Sequence, residues 1–177
     1  MTTRSFIAFD AVALYDALEY QRLERGLTWQ GVANQVWDLS SVLNAQRGDH
    51  PLSVSTIKNL GLRRAISCQH ALFLLRWLDR TPESFLKGAS RDAGSSLPRA
   101  SNAERPRWNL HRLYEVLNAT RREEGITWQQ LARELRCTPH QLTGLRTAKF
   151  AIDMALAMRI VQWLARPASD FIDVATW

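Results

Sequence analysis

The chain has 177 residues, of which 46% are hydrophobic, and its 23 lysines and arginines exceed its 17 aspartates and glutamates to give a net charge of +6. This basic balance, with a sequence pI of about 10.0, favours nucleic acid or another anionic partner. The two cysteines, Cys68 and Cys137, are too few for a disulfide framework, and no apolar run is long enough for a secretory signal or a membrane span, so we expect a cytoplasmic protein that does not contact a membrane.

An internal repeat organises the chain. Residues 26–30, Gly-Leu-Thr-Trp-Gln, return as Gly-Ile-Thr-Trp-Gln at residues 125–129, a shift of 99 positions. Further on, Trp77 matches Trp163 at a shift of 86, so the first copy holds 13 additional residues between these anchors. Each copy spans about 65 to 80 residues, which is enough for a small helical core and too little for an enzyme-sized cleft.

Both copies are predicted to open with a helix. Asp10 and Asn109 each follow an aromatic residue and have the side-chain oxygen that an N-cap needs. The glycine of the repeated motif suits a left-handed C-cap, so we expect the first helix to stop there. The threonine two residues later then caps a second helix.

In the second copy a third helix follows the second almost at once. The second helix is predicted to end at about Cys137, where Thr138 supplies an N-cap and Pro139 fits the first helical position. The third helix is expected to bury Leu142 and Leu145. This arrangement is a tight helix-turn-helix.

The first copy differs in the connection between its second and third helices. Apolar residues spaced by three and four from 32 to 43 predict a lengthened second helix, and residues 46–51 read as a turn. Ser53 then caps the third helix. A fourth helix is predicted from Ser67 in this copy and from about Asp153 in the other.

The segment between the copies, residues 87–107, has almost no apolar content and many small or turn-favouring residues. We predict a basic flexible linker with an end-to-end distance of roughly 25 Å. The sequence therefore predicts an all-α protein of two small helical domains, residues 1–86 and 108–177.

In both copies the order of elements resembles the helix-turn-helix family of the lambda and Cro repressors: a helix, a glycine, a Thr-Trp-Gln helix, a Ser/Thr-rich helix and an apolar helix ending in Trp-Leu. The best-matched segment is residues 127–146, with Ala132 and Leu142 at the family's small and buried positions. The resemblance implies two helix-turn-helix domains that bind double-stranded DNA sequence-specifically, and a nucleoid-associated transcriptional regulator that acts by occupying its site. The predicted linker would let the domains sit about one DNA turn, roughly 34 Å, apart.

The family reads bases with the exposed start of the third helix, while the start of the second helix contacts the backbone. In the first copy the implied DNA-binding residues are Gln30, Ser55, Thr56, Lys58, Asn59, Arg63 and Arg64. In the second copy they are Gln129, Gln130, Thr138, His140, Gln141, Thr143, Arg146 and Lys149. Amide and hydroxyl groups hydrogen-bond base edges, and the basic side chains neutralise phosphates.

Two alternatives stay open from the residues themselves. The first copy's connection exceeds the family's usual turn, and residues 38–52 could meet a second subunit, a partner protein or, through Arg47, adjacent DNA. Residues 1–86 are nearly neutral, with nine basic against eight acidic side chains, which favours a protein-interaction adaptor in which this domain binds a partner.

Trp29 and Trp128 either donate to a DNA phosphate or pack against the first helix, and packing is the usual behaviour of an indole.

Neither catalysis nor a metal site is indicated. The sequence has no nucleophile elbow, glycine-rich phosphate loop or paired carboxylates. Cys68, His70 and His50 lack a four-ligand spacing, and the second copy has no counterpart of them. We therefore expect a protein without enzymatic activity, metal or cofactor.

Overall fold

The computed structural model describes residues 4–148 and 151–177. Over these residues the fold is mostly helical, with one small two-stranded sheet. The helices are α1 (Ala11–Glu24), α2 (Trp29–Asp38), α3 (Ser41–Arg47), α4 (Val54–Arg63), α5 (Cys68–Leu78), α6 (Leu110–Glu123), α7 (Trp128–Glu134), α8 (Pro139–Thr143) and α9 (Met154–Trp163). The strands β1 (Arg105–Trp108) and β2 (Ile172–Ala175) pair antiparallel. Among the described residues no helix is long and apolar enough to span a membrane.

The predicted helix boundaries of the repeat are confirmed by its caps. The side chains of Asp10 and Asn109 accept hydrogen bonds from the first turns of α1 and α6. The motif glycines Gly26 and Gly125 have φ of 62° and 68°, the left-handed region in which a side chain is strained. This conformation ends the first helix and allows the next one to start within a few residues.

The tryptophan of the repeated motif packs against the first helix of its own copy, as the packing interpretation predicts. In each copy its ring lies against a tyrosine ring and an arginine guanidinium of that helix. The ring centroid of Trp29 lies 5.5 Å from Tyr15 and 4.9 Å from the Arg22 guanidinium, and that of Trp128 lies 5.6 Å from Tyr114 and 4.5 Å from Arg121. The repeated motif is therefore a structural joint between the first two helices.

The structure differs from the single lengthened helix predicted for residues 32–43. α2 ends at Asp38, and α3 is a separate helix. Ser40 leaves the helical region with φ −131° and ψ 39°. The carbonyl of Asn102 accepts from the amides of Val42 and Leu43 at 3.1 and 3.3 Å, so a distant segment caps the start of α3. The apolar spacing continued through the break, which is why sequence reasoning did not detect it.

The tight turn of the second copy is close to its prediction. α7 ends at Glu134, about three residues earlier than expected, because Arg136 adopts a left-handed conformation with φ 53°. α8 begins at Pro139 as predicted. It is a short helix that continues as a 3-10 turn over Gly144–Thr147, and Leu142 and Leu145 are buried.

Residues 87–107 differ from the predicted flexible linker because they are held against the first copy. The Thr81 hydroxyl donates to the carbonyl of Ala93, and the Arg76 guanidinium donates to that of Ala100 at 2.9 Å. The Ser40 hydroxyl donates to the carbonyl of Glu104 at 2.6 Å. These acceptors are backbone groups, which every residue type has, so composition does not reveal them. The two copies share one continuous hydrophobic core.

The two copies meet through reciprocal contacts at the starts of α5 and α9. The amide of Cys68 donates to the carbonyl of Ile152 at 2.7 Å, and the amide of Met154 donates to the carbonyl of Ile66 at 2.9 Å. Ile66 and Cys68 correspond to Ile152 and Met154 at the shift of 86 found in the sequence. A contact in which equivalent residues exchange roles marks a twofold-symmetric interface. The chain is therefore an internal pair related by an approximate twofold axis.

The segment before the first helix of each copy crosses to the other copy. Ahead of α1, the amide and carbonyl of Ile7 both bond the Gln162 side chain in α9, each at 2.9 Å. Ahead of α6, the Gln69 side chain in α5 donates to the carbonyl of Pro106 at 3.0 Å and accepts from the amide of Trp108 at 3.1 Å. We call these two segments, residues 4–10 and 105–109, the crossed arms. They add hydrogen bonds between the copies to those of the central contact.

Candidate nucleic-acid interface

The start of α8 is an exposed polar surface, as predicted. His140 and Gln141 are exposed, as is Thr138, and Thr143 is half-buried. Leu142 and Leu145 face the core and fix which side of the helix remains outside. The structure therefore brings the predicted base-reading side chains of the second copy together on one surface.

Two of the predicted DNA-binding glutamines also cap helices. The Gln141 carbonyl oxygen accepts from the Thr138 amide at 2.9 Å, while the Thr138 hydroxyl accepts from the Gln141 amide at 3.2 Å. Gln130 has the same relation to Thr127 at the start of α7. The sequence signal was present, since a threonine followed three residues later by a glutamine is a capping box. The Gln141 oxygen accepts from both the amide and the hydroxyl of Thr138, so its amide nitrogen is the atom that remains for another molecule, whereas the Gln130 oxygen accepts one bond only.

The corresponding surface of the first copy is the start of α4. Ser55, Lys58 and Asn59 are exposed and Thr56 is half-buried. The hydroxyl of the N-cap Ser53 lies 2.8 Å from that of Ser55 and 3.0 Å from that of Thr56. Ser55 and Thr56 are thus tied to the cap, and Lys58 and Asn59 are the more available side chains.

Both surfaces are flanked by positive charge. Arg63 and Arg64 end α4, Arg146 lies in the 3-10 turn after α8, and all three are exposed. Residues 53–64 hold three basic side chains and no acidic one. Lys149, also predicted as a phosphate contact, lies outside the described residues.

The starts of the second helices have exposed glutamines at the predicted positions. Gln30 is exposed and donates to the Asn34 side chain at 2.9 Å, and Gln129 is exposed as well. Sequence reasoning missed two arginines beside α8, namely Arg133 in the last turn of α7 and Arg136 in the connection, both exposed. The signal that could have found them is the shortness of that connection, which places its side chains next to the third helix.

The insertion at residues 38–52 contacts its own chain. The Asp49 carboxylate pairs with the buried Arg105 at 2.8 Å and with Arg47 at 2.9 Å. Hydrogen bonds from Arg105 and then Arg47 lower the pKa of Asp49. Arg47, considered for a contact to adjacent DNA, is therefore engaged in an ion pair, while Val42 keeps 39% of its surface exposed.

The sequence offers Cys68, His70 and His50 as candidate metal ligands. Burial raises the pKa of Cys68 to about 12, which disfavours the thiolate form in the folded chain. Over residues 4–148 and 151–177, no three His, Cys, Asp or Glu side chains are grouped to hold a metal ion.

No protein-family model, no curated protein and no solved structure matches this chain. The surfaces at the starts of α4 and α8 combine hydrogen-bonding groups with neighbouring cations. That combination fits an anionic polymer with polar edges better than a small apolar ligand.

Proposed function

We propose that the protein binds double-stranded DNA sequence-specifically through two helix-turn-helix modules and regulates transcription by occupying its site in the nucleoid. One observation carries the proposal. In each copy one N-capped helix, α4 in the first and α8 in the second, leaves polar side chains uncovered at its start, beside exposed arginines. An α-helix of this kind fits the major groove, where base edges present hydrogen-bonding groups.

The available donors suggest which base atoms are read. The Gln141 carbonyl oxygen is occupied in its cap, so this side chain offers its amide nitrogen to acceptors such as guanine O6, thymine O4 or a purine N7. Lys58 offers an ammonium group to the same acceptors. Asn59 is exposed and has both amide atoms for adenine.

Exposed arginines would position the protein on the phosphates. Arg133, Arg136 and Arg146 surround α8, where Glu134 is the one acidic residue of segment 129–148. One oxygen of the Glu134 carboxylate accepts a hydrogen bond from the Trp163 indole at 2.9 Å. Each phosphate contact adds affinity without sequence information and steepens the salt dependence.

The test is selection of bound duplexes from a random pool by the full chain. We expect an enriched motif, and we expect His140→Ala with Gln141→Ala to lose part of it. Since Gln141→Ala also disturbs a capping box, the control is Thr127→Ala, which disrupts the capping box of α7 at a residue outside the predicted DNA contacts and should keep the motif. A pool without enrichment, or a motif unchanged by the double substitution, would reject base reading by α8.

A protein-interaction role is the second candidate function, favoured by α1. Val12, Tyr20 and Leu23 lie on one stripe of this helix and are 42%, 69% and 62% exposed. At the shift of 99 the second copy has His111, Ala119 and Arg122 there. Sedimentation velocity on the full chain and on Tyr20→Ser with Leu23→Ser would detect self-association through this stripe.

A further inference from the structure

We infer that the DNA target of this chain is a pair of unlike half-sites, in inverted orientation and at one fixed separation, and that a single chain occupies both. The inference rests on the proposed DNA binding and specifies its target. It differs from the sequence-based expectation, in which a flexible linker leaves both the orientation and the separation of the half-sites free.

The inverted orientation follows from the central contact. The exchange of hydrogen bonds between residues 66–68 and 152–154 relates the copies by an approximate twofold axis. α4 ends at Arg63 and the 3-10 turn that continues α8 ends at Thr147, so each reading element precedes its own central segment by a few residues in the chain. Corresponding elements of two twofold-related copies take equivalent places about the axis. Twofold-related readers meet a duplex as inverted half-sites.

The fixed separation follows from the contacts that join the copies. Residues 87–104 are held to the first copy, with the Arg76 guanidinium and the Ser40 hydroxyl as two of the donors. The crossed arms add the Gln162 and Gln69 contacts between the copies. A shared core completes the connection. The reading helices therefore cannot slide apart along DNA as modules on a loose tether would.

Different side chains at equivalent positions make the half-sites unlike. Ser53 and Thr138, the N-caps of α4 and α8, set the alignment of the two helices. The aligned pairs are Ser55 with His140, Thr56 with Gln141, Lys58 with Thr143 and Asn59 with Gly144. All four pairs differ in donor and acceptor groups. Two such readers select different bases, so the target is not a palindrome.

Selection of the duplexes that the full chain binds tests both whether the two half-sites are inverted and whether they differ in sequence. The expected motif has two different halves in inverted orientation at a single spacing, with one chain per duplex by sedimentation equilibrium. No enriched motif would mean that the proposed DNA binding fails. A motif with one half, with two halves in direct orientation, or with two identical halves bound by two chains would overturn this inference and leave DNA reading intact.

Insertion of base pairs between the halves tests the fixed separation. Five extra pairs turn one half to the opposite face, and ten restore the face but move it by about one turn. We expect both insertions to weaken binding on the order of 10²-fold, the avidity that simultaneous engagement supplies. Recovery of affinity at ten pairs would show a flexible tether and overturn the inference.

Paired substitutions assign the halves. Lys58→Ala with Asn59→Ala should flatten only one half of the motif, and His140→Ala with Thr143→Ala only the other. Gln46→Ala, at an exposed position of α3, is the control and should leave both halves intact. If either reader pair altered both halves equally, the assignment of one reader to each half would be wrong.

Discussion

The two copies share a joint and differ in how that joint is continued. In both, the motif tryptophan contacts a tyrosine and an arginine of the first helix, and a threonine caps the second helix. The second copy connects α7 and α8 through residues 135–138. The first copy connects α2 and α4 through residues 39–53, which include the additional helix α3. The packing of the first two helices is therefore the same in both copies, although the first copy has the additional helix α3 after them.

The copies also differ in how they cover the tryptophan of their last long helix. In the first copy the Arg25 guanidinium lies 4.8 Å from the Trp77 ring. In the second copy the position of Arg25 is Glu124. Arg4, from the crossed arm of the first copy, pairs with Glu124 at 2.6 Å and lies 4.6 Å from the Trp163 ring. The second copy thus depends on the first for a contact that the first makes alone.

The largest expected effect comes from breaking the core feature that the copies share. Trp77 and Trp163 are buried, and each indole donates a hydrogen bond of 2.9 Å to a side chain of its own copy. Replacement of either by alanine should reduce the free energy of unfolding by about 3–5 kcal/mol, measured by urea denaturation. Trp177→Ala, at a residue that is 60% exposed, is the control, with less than about 1 kcal/mol expected. Equal losses at all three positions would contradict the burial argument.

A smaller effect distinguishes the two crossed arms. Gln69→Ala would leave the partly buried contacts to Pro106 and Trp108 without a partner, and we expect a loss of about 1–3 kcal/mol. Gln162→Ala removes its bonds to Ile7, which are exposed, so water can replace them and the loss should stay below about 1 kcal/mol. Denaturation of both variants checks the order, and a larger loss at Gln162 would reverse the assignment.

Loss of the N-cap of α4 or α8 should reduce the free energy of unfolding by about 1 kcal/mol. Thr138→Ala removes a cap in a capping box, and Ser53→Ala removes a cap that also holds two neighbouring hydroxyls. Both should speed hydrogen exchange in the first turn of their own helix only. Thr138→Ser retains the hydroxyl and should restore slow exchange. Faster exchange in both helices from one substitution would indicate that the helices are coupled.

The smallest effect concerns the ion pair that joins the insertion to β1. The pKa of Asp49 is lowered in the folded protein by Arg105 and Arg47, so its contribution to stability is present above the unfolded pKa of about 3.8. It is lost as pH falls through the lower folded pKa. The denaturation midpoint of the native chain should therefore fall more steeply between about pH 5 and about pH 2 than that of Asp49→Asn. Parallel curves would mean that the pair does not stabilise the fold.

Much of each copy could be predicted from sequence because its signals are local. A cap such as Ser67 or a start such as Pro139 requires only its immediate neighbours. The break before α3, the paired strands and the crossed arms depend instead on distant backbone groups. The carbonyl of Asn102, for example, caps a helix that lies far from it in the chain. No periodicity or composition marks such an acceptor, so the relation between the copies became visible only in three dimensions.

The crossed arms mean that the boundary between the copies in sequence is not a boundary between autonomous units. A cleavage within residues 87–104 would give two fragments, each lacking the crossed arm that the other copy supplies. Neither crossed arm would itself be cut. Separately produced fragments should therefore be unstable alone and should reassemble when mixed, in the manner of a complemented split protein.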